Sequence, residues 1–168
     1  MLEKLNIFRY YKLENFFEDG FTEEGSKSFY SVSPYHEDTF INAKQEDFVS
    51  YSYVLNNELE YKRYLLLENK FISAFEELYQ HFKIVGLKFN KDKYHLIEYL
   101  GFLSFKEDLI KGLREDTSYT FMIDDRAIAI HCNFDLNIVV FGYHEIDHKE
   151  IWNIFKKYEL HVTDLLHK

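Results

Sequence analysis

Three features of the sequence predict an α+β fold. An apolar stripe of helical period runs through about residues 59–83. A series of short β-prone segments broken by turn residues fills about 119–143. The two kinds of pattern come in blocks rather than in strict βαβ alternation. One proline and six glycines are scattered over 168 residues, with no Ser/Gly/Pro-rich linker and no internal repeat. Residues 1–168 are therefore expected to form one compact domain.

The elements follow in order. Leu5, Phe8, Leu13, Phe16 and Phe17 fall near helical spacing and end at Asp19-Gly20, which predicts a short helix over 5–17. Ser28–Ser33 and Phe48–Val54 are rich in aromatic and β-branched residues and read as strands. Between 59 and 83, Leu67, Phe71, Phe75, Leu78 and Phe82 step by 4, 4, 3 and 4 along one helix face, while Lys62, Arg63, Lys70, Glu76 and Glu77 lie off it. Residues 84–101 leave two alternatives: a hairpin turning at Asn90–Lys93, or a helix capped by Asp92. Ser104 followed by Glu107 has the spacing of a capping box, so a helix is expected over 105–114.

Residues 119–143 predict a three-stranded meander. Its strands are Tyr119–Ile123, Ala127–His131 and Ile138–Tyr143, with turns at Asp124-Asp125 and Asn133–Asn137. Asp147 and Glu150 form another N-cap signature, opening a helix over 148–158, and Leu160–Lys168 is left as a final short element.

The chain holds 29 acidic and 20 basic residues, a formal net charge of −9. Residues 1–60 carry 12 acids against 5 bases, a balance of −7; residues 61–168 carry 17 against 15, a balance of −2. Four acidic pairs stand out in the first third: Glu18-Asp19, Glu23-Glu24, Glu37-Asp38 and Glu46-Asp47. A field of one sign steers a partner of the other sign and speeds encounter. The same balance argues against direct binding to nucleic acid, which needs clustered Lys and Arg, and against an anionic membrane surface. The longest apolar run, Ile138–Tyr143, has the length of a strand and not of a membrane span. Met1–Tyr10 is interrupted by Glu3, Lys4 and Arg9, so no secretory signal is expected, and Cys132 is the single cysteine. The expected compartment is the cytoplasm.

His144-Glu-Ile-Asp-His148 matches H-E-x-x-H, in which two histidines one helical turn apart bind zinc and the glutamate acts as general base. Its setting speaks against that chemistry. The cap signature starts the helix at Asp147, which leaves His144 in a loop, and Asp147, Lys149 and Glu150 crowd the motif with charge. A zinc hydrolase using His144, Glu145 and His148 is thus the alternative reading. His131 and Cys132 are strand neighbours on opposite faces and cannot act as a pair. Asp124-Asp125-Arg126 fits a hairpin turn better than a metal site. No phosphate-cradling glycine loop and no G-x-S-x-G is present. No catalytic residue and no cofactor is therefore expected.

In size, acidity and α+β pattern, the chain resembles bacterial immunity proteins, antitoxins and phage anti-defence inhibitors. The Ile123-Asp-Asp-Arg126 hairpin ahead of a Trp-containing helix is similar to a feature of immunity-type domains. The resemblance implies a protein that covers a basic partner, a toxin or defence effector, with carboxylates in place of a substrate's phosphates. The partner-binding residues expected on this reading are Glu18, Asp19, Glu23, Glu24, Glu37, Asp38, Glu46 and Asp47. A structural subunit, forming a homodimer through an aromatic sheet face, is the third reading.

Overall fold

The structure, a computed structural model, describes residues 2–36, 50–90, 93–116, 119–133, 136–144 and 148–166. The fold is α+β. Seven strands form one sheet: β1 (Ser28–Ser33), β2 (Ile84–Asn90), β3 (Lys93–Glu98), β4 (Tyr119–Ile123), β5 (Ile128–Asn133), β6 (Asn137–Gly142) and β7 (His161–Asp164). Their order is β3-β2-β4-β5-β6-β1-β7, and the paired neighbours run antiparallel. The helices are α1 (Leu13–Asp19), α2 (Tyr51–Val54), α3 (Glu58–His81), α4 (Phe102–Leu113) and α5 (Lys149–Lys157).

The meander forms as its pattern requires, and 84–101 takes the hairpin alternative, with Leu87 opposite Leu96. The three long helices pack on one sheet face. Asn57 caps α3, its side-chain oxygen accepting the N–H groups of Leu59 and Glu60 at 3.1 and 3.2 Å. Phe71, Phe75 and Leu78 of the apolar stripe are fully buried, and Tyr64 and Glu68 extend that face toward the helix start. Phe75 meets Phe105 of α4 and Phe155 of α5 at 5.9 Å each, and Phe105 stands edge-on to Phe121 of β4 at 5.0 Å. Each buried Phe of this kind contributes about 1.5–3 kcal/mol.

Three expectations need correction. Residues 51–54 form one turn of helix and not a strand, because Val54 turns inward there and the Tyr51 ring packs on Tyr64 of α3. The helix expected from 105 begins at Phe102 with Gly101 as its N-cap. The Ser104 hydroxyl donates back to the Gly101 carbonyl at 2.9 Å, so it serves the first turn from inside rather than capping it. The helix expected over 5–17 is two 3-10 turns, Leu2–Lys4 and Asn6–Arg9, followed by α1. The last helix keeps nearly its predicted bounds, but His148 takes the N-cap position expected of Asp147, which lies outside the described residues. The tail supplies strand β7, which pairs with β1.

The N-terminal segment lies across the other sheet face. Leu5, Ile7, Tyr11 and Phe16 are buried there against Val85, Met122, Ala129 and Phe141. The Ile7 N–H donates to the Asp124 carboxylate at 3.4 Å, tying this segment to the β4–β5 turn. The cover is short. Helix α1 has seven residues and stops at Gly20, whose φ of 74° is one a glycine adopts without a Cβ penalty. The chain then turns through Phe21 toward β1, and the described residues leave part of the sheet uncovered.

Candidate binding trough

What stays open follows from strand alternation. Leu96, Leu87, Thr120, His131, Val139, Ser31 and Thr163 lie side by side across the sheet from β3 to β7. Alternate residues share a face, so this row lies on the face that the N-terminal segment covers only in part. A trough of about 790 Å³ results. Its floor is Leu87, Thr120, His131, Asn133 and Val139, and its walls are Phe16, Asp19, Gly20 and Phe21 on one side and Phe29, Tyr94 and Phe141 on the others. The volume lies within the range of small-ligand sites.

The walls are aromatic and mutually braced. Phe16 packs on Tyr94 at 4.5 Å and on Phe21 at 4.7 Å, and Phe29 stacks on Phe141 at 5.1 Å. Thr120 Oγ1 and His131 Nδ1 share a hydrogen bond of 3.1 Å on the floor. Burial holds the His131 ring below the usual histidine range, which favours its neutral form. The Asp19 carboxylate stands exposed on the rim, and none of the described lining residues is Lys or Arg.

Three of the eight acidic residues expected to bind a partner have described side chains. Asp19 borders the trough, and Glu23 and Glu24 are exposed on the turn between α1 and β1. That turn is held by Ser26, whose hydroxyl donates to the Glu23 carbonyl at 2.6 Å. Its end is fixed where the Lys27 N–H donates to the Gly142 carbonyl at 2.6 Å. The Glu18 side chain, Glu37, Asp38, Glu46 and Asp47 lie outside the described residues.

The histidine motif does not take the zincin arrangement. His144 follows β6 under the Tyr10 ring, at 4.4 Å, whereas His148 stands at the head of α5 against Gly142. Glu145 lies outside the described residues. Among the described residues, no group of three or more His, Cys, Asp or Glu could hold a metal ion. Cys132 faces the helix layer beside Gly112, opposite to His131, and burial pushes its thiol up to about 12. The Asp124–Arg126 turn is structural. Asp124 accepts from Ile7, and Arg126 lies 3.7 Å from Glu150 with its guanidinium over the Phe82 ring at 5.3 Å.

Sequence reasoning passed over the trough floor. Its signal was present: Thr120, His131 and Asn133 are polar residues in otherwise apolar strands of the meander, the last two at alternate positions of β5. No helix among the described residues is long and apolar enough to cross a membrane. No protein-family model matches the chain, and comparison with curated proteins and with solved structures finds no match.

Proposed function

We propose that this chain is a non-catalytic, cytoplasmic binding protein that neutralises a basic partner protein, in the manner of an immunity protein, antitoxin or anti-defence inhibitor. One observation carries the reading. The exposed carboxylates Asp19, Glu23 and Glu24 lie on the segment that walls the aromatic trough, and among the described residues no Lys or Arg lines that trough. A basic surface meeting this side would be steered by the carboxylates and would find apolar area to bury behind them. The test is affinity capture from the native host, with wild-type protein and the Asp19→Lys/Glu23→Lys/Glu24→Lys variant side by side. A basic protein retained by the wild type and lost by the variant supports the reading. A partner that is acidic, or that the variant retains equally well, overturns it.

A further inference from the structure

We propose that the trough is a receptor for one cationic side-chain head, the ammonium of a lysine or the guanidinium of an arginine, presented by the partner protein. This rests on the reading of the chain as a binder of a basic protein and assigns the site where that basicity is read.

The chemistry of the lining selects the ligand. Phe16, Phe21, Phe29, Tyr94 and Phe141 border the cavity, and aromatic faces attract a cation that comes within about 6 Å of the ring centroid. Asp19 supplies a full negative charge at the rim. An anionic ligand would find no Lys or Arg among the described lining residues and would meet that carboxylate. Thr120 and His131 already satisfy each other at 3.1 Å, but a purely apolar ligand would cover the Asn133 side chain of the floor without offering it a hydrogen bond. A lysine or arginine avoids both difficulties. Its methylene stem packs on the apolar floor, at Leu87 or at Val139, and its N–H groups find oxygen acceptors among Asp19 at the rim and Thr120 and Asn133 on the floor. The neutral form of His131 adds no repulsive charge.

A second cavity, beside β7, shows the contrast. It is lined by His36, Lys156, Glu159 and His161, and Glu159 is already bound to Lys70 at 2.8 Å. Its charges are mixed and in part satisfied, and it selects no sign of ligand.

The experiment is amide-resolved NMR on the full chain with four capped amino acids: the N-acetyl N-methylamides of lysine, arginine, norleucine and glutamate. Probes of this size are expected to bind weakly, with Kd about 1 mM. The lysine and arginine probes are expected to shift the Thr120, His131 and Val139 resonances in a saturable way, and norleucine to bind about tenfold more weakly. Asp19 is exposed, so Asp19→Asn keeps the fold, which its spectrum outside the trough confirms, and weakens the cationic probes without affecting norleucine. Phe29→Leu keeps apolar volume, removes a ring and has the same selective effect. Norleucine or glutamate binding as well as lysine overturns the proposal, as does the absence of saturable shifts with either cationic probe. The two readings can fail separately. Lysine-selective shifts alongside an acidic natural partner would retain the receptor and remove the neutralising function. A basic partner lost on reversal of Asp19, Glu23 and Glu24, with no shift from the capped cations, would retain the function and remove the receptor.

Discussion

Replacing Arg114 tests how the helix layer is held together. Glu68 lies on the buried stripe of α3 with 3% of its surface exposed. Arg114 follows the last turn of α4 and grips it with two bonds, Nε to Oε1 at 2.7 Å and Nη2 to Oε2 at 2.9 Å. The Tyr51 ring of α2 lies against the same guanidinium at 4.7 Å, so the pair joins three helices. Arg114→Met leaves a buried carboxylate without its counter-ion, a loss of about 3–5 kcal/mol for such pairs. Because Arg114 is 21% exposed, water reaches one side of the pair. The expected cost is therefore at the lower end, about 3 kcal/mol. Glu68→Met leaves a guanidinium that can turn toward water, at about 2 kcal/mol. The double replacement removes both charges and fills the space with apolar atoms, for a cost of about 1 kcal/mol. It should therefore fall about 4 kcal/mol below the sum of the two singles. Urea unfolding of the four proteins, with unchanged m-values as the check on two-state behaviour, measures this directly. A cost below about 1 kcal/mol for Arg114→Met would mean that the pair acts as a surface ion pair. Singles that add within about 0.5 kcal/mol would mean that the two groups are not coupled. Either result refutes the reasoning.

Further expectations concern the sheet. In Gly142→Ala the new Cβ would stand 2.6 Å from His148 Nε2 and also against Ser28 Oγ, so these side chains or the strand must shift. A loss of about 1–3 kcal/mol and a Tm several degrees lower are expected in thermal unfolding. Burial lowers the His131 pKa in the fold, so below the unfolded value of about 6.5 the unfolded chain binds the extra proton. Stability is then lost as the pH falls through that window, by at most about 1.4 kcal/mol per pH unit from this ring. His131→Gln should show a flatter decline than wild type in urea titrations across the window, and parallel curves would contradict the assignment. With its thiol pushed up to about 12, Cys132 should resist alkylation in the native protein and react once the chain is unfolded in urea. Rapid native labelling would place it outside the core.

The meander, the long helix and the α+β class were legible because each rests on a periodic apolar pattern longer than one turn or one strand. The short elements were not. Tyr51–Val54 has β-prone residues, yet four residues of propensity yield to the contacts of Val54 and Tyr51 with the helix layer. Ser104-x-x-Glu107 satisfies the capping spacing, but the earlier start brings Phe102 beside Tyr79 at 5.8 Å and Phe105 into the core. Tail strand β7 pairs with β1 more than 120 residues earlier in the chain, and no local signal encodes such a partner. For the site, charge mapping located the acidic turn but not the cavity behind it. That cavity exists because α1 ends before it covers the Thr120–His131 row, which depends on where two distant segments meet.

Association kinetics test the central claim most directly. With the captured partner in hand, the association rate of wild type is compared with that of Asp19→Lys/Glu23→Lys/Glu24→Lys at low and high salt. Charge reversal beside the trough should slow association by about tenfold or more at low salt, with a smaller change in dissociation, and the difference should shrink as salt screens the field. An association rate unchanged by the three reversals, or slowed equally at every salt concentration, would contradict the account.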